Sequence, residues 1–109
     1  MKLLSRAEEV ILLAILKLEG EAYGVSIRRR IFDDTGDRWS FASIYTPLDR
    51  LVRKGYALKT KGDPTAKRGG KSKFFYEVTN EGKRALLDIQ RAHSRVWTGV
   101  PRIAVEKGK

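Results

Sequence analysis

Between Ser40 and Thr79 a helix pattern runs straight into a strand, a basic glycine-rich loop and a second, aromatic strand, and this order constrains the fold most. Ile44, Leu48 and Leu51 recur at i, i+4 and i+7, which gathers three apolar side chains on one helical face. Ser43, Thr46, Arg50 and Arg53 then lie on or near the opposite face, free to meet something polar. Ser40 predicts the N-cap, because its hydroxyl can accept from an orphan backbone N–H. Gly55 predicts the left-handed stop after the basic Arg53 and Lys54. Pro47 conflicts with the pattern, since a proline past the first turn removes a backbone donor and crowds the preceding carbonyl. The helix is therefore expected either to start later than Ser40 or to bend.

Beyond Gly55, residues 56–60 alternate weakly and residues 73–78 are rich in side chains that suit a pleated surface, so the two runs predict a hairpin. The segment between them has no apolar periodicity and carries Pro and Gly where turns need them. Together with Lys59 and Lys73 it holds six basic residues against the single acid Asp63, a concentration that a nearby polyanion would feel. A solvated surface loop is the blander reading, and its position beside the helix argues against it. A helix followed by such a hairpin is the arrangement of a winged helix-turn-helix.

At 109 residues the chain is expected to form one domain with a modest core, and a long apolar surface on it to seek a partner. Its formal charge of +10 favours an anionic partner, either nucleic acid or an acidic membrane surface. There is no cysteine, which excludes disulfides, thiol catalysis and cysteine-based zinc sites. The longest apolar run, Val10 to Leu18, is interrupted by Lys17 and follows Glu8 and Glu9, too short for a membrane span and poorly flanked for a signal peptide. These features predict a soluble cytoplasmic protein that does not engage a membrane. An enzyme reading lacks material: one histidine, no acid pair in a plausible cleft and no phosphate loop between strand and helix, so no cofactor or metal is expected.

The flanking segments complete a mainly α fold. Ser5 with Glu8 three residues on has the capping-box spacing, and the helix that follows is apolar nearly all round, so one side is expected to meet the core and another a second subunit. Tyr23, Ile27 and Ile31 mark a second helix that carries Arg28, Arg29 and Arg30. Trp39 and Phe41 read as apolar packing that fixes the entry of the third helix, as a hydrophobic staple would. Thr79 or Asn80 can cap a last helix in which Leu86, Ile89, His93, Val96 and Val100 fall at steps of three and four. That seam predicts a C-terminal dimerisation helix pairing with its own copy across a two-fold axis, with an amphipathic helix inside one subunit as the alternative. His93 in the seam would bring like charges together on protonation. Pro101 is expected to end the helix. The organisation expected is a DNA-binding unit over residues 1–79, the dimerisation helix over 80–100 and a frayed tail over 101–109.

Three segments carry a family resemblance: Tyr23-Gly24; Ser43 to Leu51 followed by Lys54-Gly55-Tyr56; and Tyr76 to Gly82 leading to Leu86. Taken in this order, they make the chain resemble the PadR family of winged-helix transcriptional regulators, from Leu4 to about Val100. The resemblance implies a homodimer that binds double-stranded DNA at an operator, usually as a repressor, with the third helix in the major groove and the wing beside it. It looks like the short subtype with a single C-terminal helix. Ala42, where glycine is common in the family, and Pro47, where a polar residue is common, depart from the pattern on the recognition helix. On this reading Arg50 and Arg53 reach phosphates or guanine edges, and Ser43 and Thr46 bond to phosphates or bases. Tyr45 either packs or reaches a phosphate, while Lys67, Arg68 and Lys71 of the wing follow the backbone. A dimer would set its two recognition helices roughly 34 Å apart on a palindromic site. Some relatives bind planar aromatic compounds between subunits, which makes Trp97 a candidate effector contact; closing the dimer interface is its simpler role. The rival class is a winged helix that binds DNA without sequence preference, in an architectural role, or bridges proteins.

Overall fold

Ser5 and Glu8 form the reciprocal cap that their spacing predicts: Ser5 Oγ accepts from the Glu8 N–H at 3.2 Å, and Glu8 Oε1 accepts from the Ser5 N–H at 2.9 Å. They open α1 (Arg6–Leu18), the first element of a computed structural model that describes residues 2–62 and 73–106. α2 (Gly24–Thr35), α3 (Phe41–Arg53), β1 (Ala57–Lys61), β2 (Phe74–Val78) and α4 (Asn80–Trp97) follow. The result is four helices and one antiparallel hairpin, a winged helix-turn-helix.

α1 is the central element and packs against α2, α3, β2 and α4. Ile11, Leu12, Ala14 and Ile15 are buried, whereas Leu13 and Leu16 stay exposed on its remaining side. Ile27 and Ile31 of α2 and Ile44, Leu48 and Leu51 of α3 close the core around it, each essentially without solvent contact. Each such side chain stabilises the fold by roughly 1.5–3 kcal/mol relative to exposure.

α3 starts at the predicted cap, with Ser40 Oγ accepting from the Ser43 N–H at 3.1 Å. The helix continues through Pro47, so a later start is ruled out. Pro47 is buried, and its missing N–H leaves the Ser43 carbonyl without its usual donor four residues on. Trp39 packs partly buried against the core as expected, but Phe41 does not; it lies 41% exposed on the outer surface.

The hairpin pairs Ala57 with Val78 and Lys61 with Phe74. A backbone bond from Tyr76 N–H to the Ala22 carbonyl at 2.8 Å ties it to the α1–α2 loop, and one from Thr79 N–H to the Tyr56 carbonyl at 3.1 Å closes its open end. Thr79 also caps α4, accepting from the Gly82 N–H at 3.0 Å. α4 departs from the expected seam. Leu86 and Ile89 turn inward and join the same core as α1 and α3, so the helix is not separate from the DNA-binding unit in packing. The helix also ends at Trp97 rather than at Pro101, with Thr98 extended and Gly99 at φ 86°, and Val100 lies beyond it. Among the described residues no helix is long and apolar enough to cross a membrane.

Candidate nucleic-acid interface

The outward face of α3 presents Phe41, Ala42, Ser43, Tyr45, Thr46, Asp49 and Arg53. Ser43 and Thr46 are solvent-facing as predicted, although the Ser43 hydroxyl lies 2.9 Å from that of the Ser40 cap. Arg53 has no ion-pair partner among the described residues. Arg50 differs from the expectation. Its Nε sits 3.7 Å from Glu8 Oε2, and Lys54 Nζ approaches the same oxygen at 2.8 Å, so Arg50 is shared between a buried carboxylate and solvent. Burial disfavours the charged form of Glu8, but the Lys54 ammonium and the Ser5 N–H outweigh it and hold the carboxyl below its ordinary value.

Tyr45 has one foot in packing. Its ring stacks on Phe41 at 6.1 Å and 22°, and its hydroxyl lies against Gly24 at the start of α2. A Cβ at position 24 would overlap that hydroxyl, so glycine is what lets the tyrosine lie there. Arg28 of α2 covers the Phe41 ring at 4.6 Å while its Nε donates to the Trp39 carbonyl at 2.6 Å.

Where α2, α3 and the hairpin meet, a cleft of about 500 Å³ is lined by Tyr23, Gly24, Tyr45, Asp49, Lys59 and Lys73, among others. Lys73 Nζ stands 3.7 Å over the Tyr23 ring and Lys59 Nζ 4.3 Å over the Phe74 ring, so both ammoniums are held at its rim by aromatic faces. At the start of α2 the Ser26 hydroxyl accepts from the Tyr23 N–H at 2.9 Å, and the positive end of the helix dipole lies at the cleft wall formed by Gly24 and Val25. Tyr76 forms the floor, 3% exposed; burial, then the nearby Tyr45 and Asp49, raises its hydroxyl's pKa. Two cations, a tyrosine hydroxyl and a helix N-terminus, set against the one carboxylate of Asp49, suit one phosphate of a nucleic-acid backbone. Lys67, Arg68 and Lys71 lie outside the described residues. In the sequence Lys59, Lys73 and Arg28 counted only as charge, Gly24 only as part of the family resemblance and Phe41 only as packing, none of them as part of a site. The Phe41/Tyr45 spacing of four was the available signal.

The residues expected at a dimer seam are divided. Leu86 and Ile89 are in the core, Val96 is 76% exposed, and His93 Nε2 lies 3.3 Å from Glu9 Oε1 of its own chain. The apolar groove instead runs between α1 and α4, about 340 Å³, with Leu13, Leu16, Leu87 and Gln90 in its walls. Trp97, the effector candidate, is 62% exposed beyond it. No group of metal-ligating side chains occurs among the described residues.

The chain is similar in structure to RosR of H. salinarum, at 28% identity over 90% of this chain and 81% of that one, with a TM-score of 0.68. It shares its fold with a PadR family transcription regulator from Clostridium difficile R20291, at 20% identity over 85% and 95% of the two chains and a TM-score of 0.66. A transcriptional regulator from Clostridium thermocellum is similar at 20% identity over 83% and 84%, with a TM-score of 0.70. No curated protein matches the sequence. Residues 12–88 match the family model described as the transcriptional regulator PadR-like family. From its winged helix, its lysine-rimmed cleft and that match, the chain belongs to the PadR-like family of DNA-binding transcriptional regulators.

Proposed function

We propose that the protein is a homodimeric repressor that reads a palindromic operator. The observation that carries this reading is the shared placement of the α3 outer face and the phosphate-suited cleft, Tyr45 and Asp49 belonging to both. A duplex whose backbone is held at Gly24, Lys59 and Lys73 brings its major groove to α3. The exposed Leu13, Leu16 and Leu87 support a second copy as partner, since a contiguous apolar groove on a small chain gains stability by being covered. Two copies related by a two-fold axis require a two-fold-related site, and occupancy of that site blocks transcription.

Selection of bound fragments from a random duplex pool at near-physiological salt, with the mass measured in solution, tests this. A palindrome recovered by a dimer is the expected result. Binding without a motif, with a uniform and steep salt dependence, would favour the architectural reading.

Trp97 and its exposed neighbours Val96 and Val100 lie next to the proposed dimer surface and offer a stacking face to a planar aromatic effector. Titration with planar aromatic compounds is expected to quench tryptophan fluorescence in the native chain and to leave Trp97→Phe, which keeps Trp39, unchanged. Equal quenching in both would remove Trp97 from this role.

A further inference from the structure

We propose that the N-terminal end of α3 reads the C5-methyl groups of thymine in the major groove, through Phe41 and Ala42. The inference rests on the operator-binding reading above and names the base chemistry that the site selects.

Ala42, Thr46, Asp49 and Arg53 fall at i, i+4, i+7 and i+11, on the ridge opposite the buried row Ile44, Leu48 and Leu51. This ridge would enter the groove first, and its two ends differ in chemistry. The C-terminal end carries the charges of Asp49 and Arg53. The N-terminal end carries the Ala42 methyl and the Thr46 methyl, flanked by Phe41 and Tyr45, which remain 41% and 40% exposed although both are aromatic. In helix-turn-helix proteins the N-terminal residues of this helix are the ones that meet base edges. Of the groups that the four bases present there, the thymine methyl is the apolar one.

The Phe41 ring is also held in advance. Arg28 covers it at 4.6 Å and is itself fixed by its bond to the Trp39 carbonyl, while Tyr45 stacks beside it. A ring already ordered loses little freedom on contact, so its exposed surface converts efficiently into affinity. Arg28 over the Phe41 ring and Lys59 and Lys73 at the adjoining cleft set positive charge beside this apolar patch, which suits a polyanion bearing methyl groups better than an apolar protein surface.

Deoxyuridine differs from thymidine only by that methyl, so the test uses the duplex recovered by selection, resynthesised with single thymine-to-uracil replacements. At one or two thymines in each half-site, the native chain is expected to bind the uracil duplex about fourfold more weakly, the worth of one buried methyl. In Phe41→Ala, whose exposed position leaves the fold intact, the thymine duplex should bind more weakly and the uracil penalty should largely vanish; Phe41→Leu should restore part of it. Thermal melts of both variants check that they fold. A recovered site whose thymines all tolerate uracil, or a penalty equal in native chain and Phe41→Ala, overturns the inference while leaving the operator reading intact. Recovery of no site overturns the operator reading and this inference with it.

Discussion

Replacing Gly82 by alanine is expected to destabilise the fold by about 2–3 kcal/mol, despite an advantage of roughly 1 kcal/mol for alanine inside a helix. A Cβ at this position would overlap the Tyr56 carbonyl oxygen and stand 2.8 Å from Val78 Cγ1. Neither neighbour can give way cheaply. The Tyr56 carbonyl is backbone that accepts from Thr79, and Val78 is a buried residue in β2. The first turn of α4 must lift instead, and Leu86 and Ile89 leave their places in the core with it. Urea unfolding of Gly82→Ala measures the loss, with the midpoint shifting at an unchanged slope. An alanine variant as stable as the native chain would mean that α4 is not seated against the hairpin in this way.

Lys54→Met is the second substitution with a large expected effect, and its signature is a dependence on pH. Glu8 is almost completely buried, and Lys54 is its closest cationic partner at 2.8 Å. Removing that partner leaves a buried carboxylate with Ser5 and the more distant Arg50. The expected loss at pH 7 is about 2 kcal/mol, below the range for a fully buried pair because the Lys54 side chain is 41% exposed. The folded-state pKa of Glu8 lies below its ordinary value, so its stabilising contribution is complete above that ordinary value. It is lost as pH falls through the folded pKa. The gap between native chain and variant should therefore be widest at neutral pH and should narrow in acid. Paired urea titrations at pH 7 and pH 3 measure it; a gap that is constant with pH would assign the loss to the Lys54 stem rather than to the charge.

The local devices of this fold are legible in the sequence. The Ser5–Glu8 box, the Ser40 and Thr79 caps and the row Ile44, Leu48, Leu51 all act through neighbours three or four residues away, and periodicity reads such neighbours directly. Partners far along the chain leave no such mark. The spacing of Leu86 and Ile89 says that a face is apolar but not whose core receives it. Arg50 looks like any outward cation on its helix, and only the folded chain brings Glu8 beneath it. Trp39 and Phe41 flank the same cap and read alike in the sequence, yet across Ser40 one ring turns inward and the other out. Pro101 is the louder stop signal for α4 in the sequence, but the quieter Gly99 acts first.

The central position of α1 also has a consequence during synthesis. Every element that it packs against lies C-terminal to it, and its carboxylates find their partners late: Lys54 lies 46 residues beyond Glu8, and His93 lies 84 beyond Glu9. At ribosomal speeds of roughly 5–20 residues per second, an 84-residue gap takes about 4–17 s to close. The helix itself can form in roughly a microsecond. Until α2 and α3 have followed, however, Ile11, Leu12 and Ile15 have no core to enter, and a lone 13-residue helix is only marginally stable in water. The apolar face of α1 therefore waits uncovered until α3 has been made, and that interval is when a chaperone has most to shield.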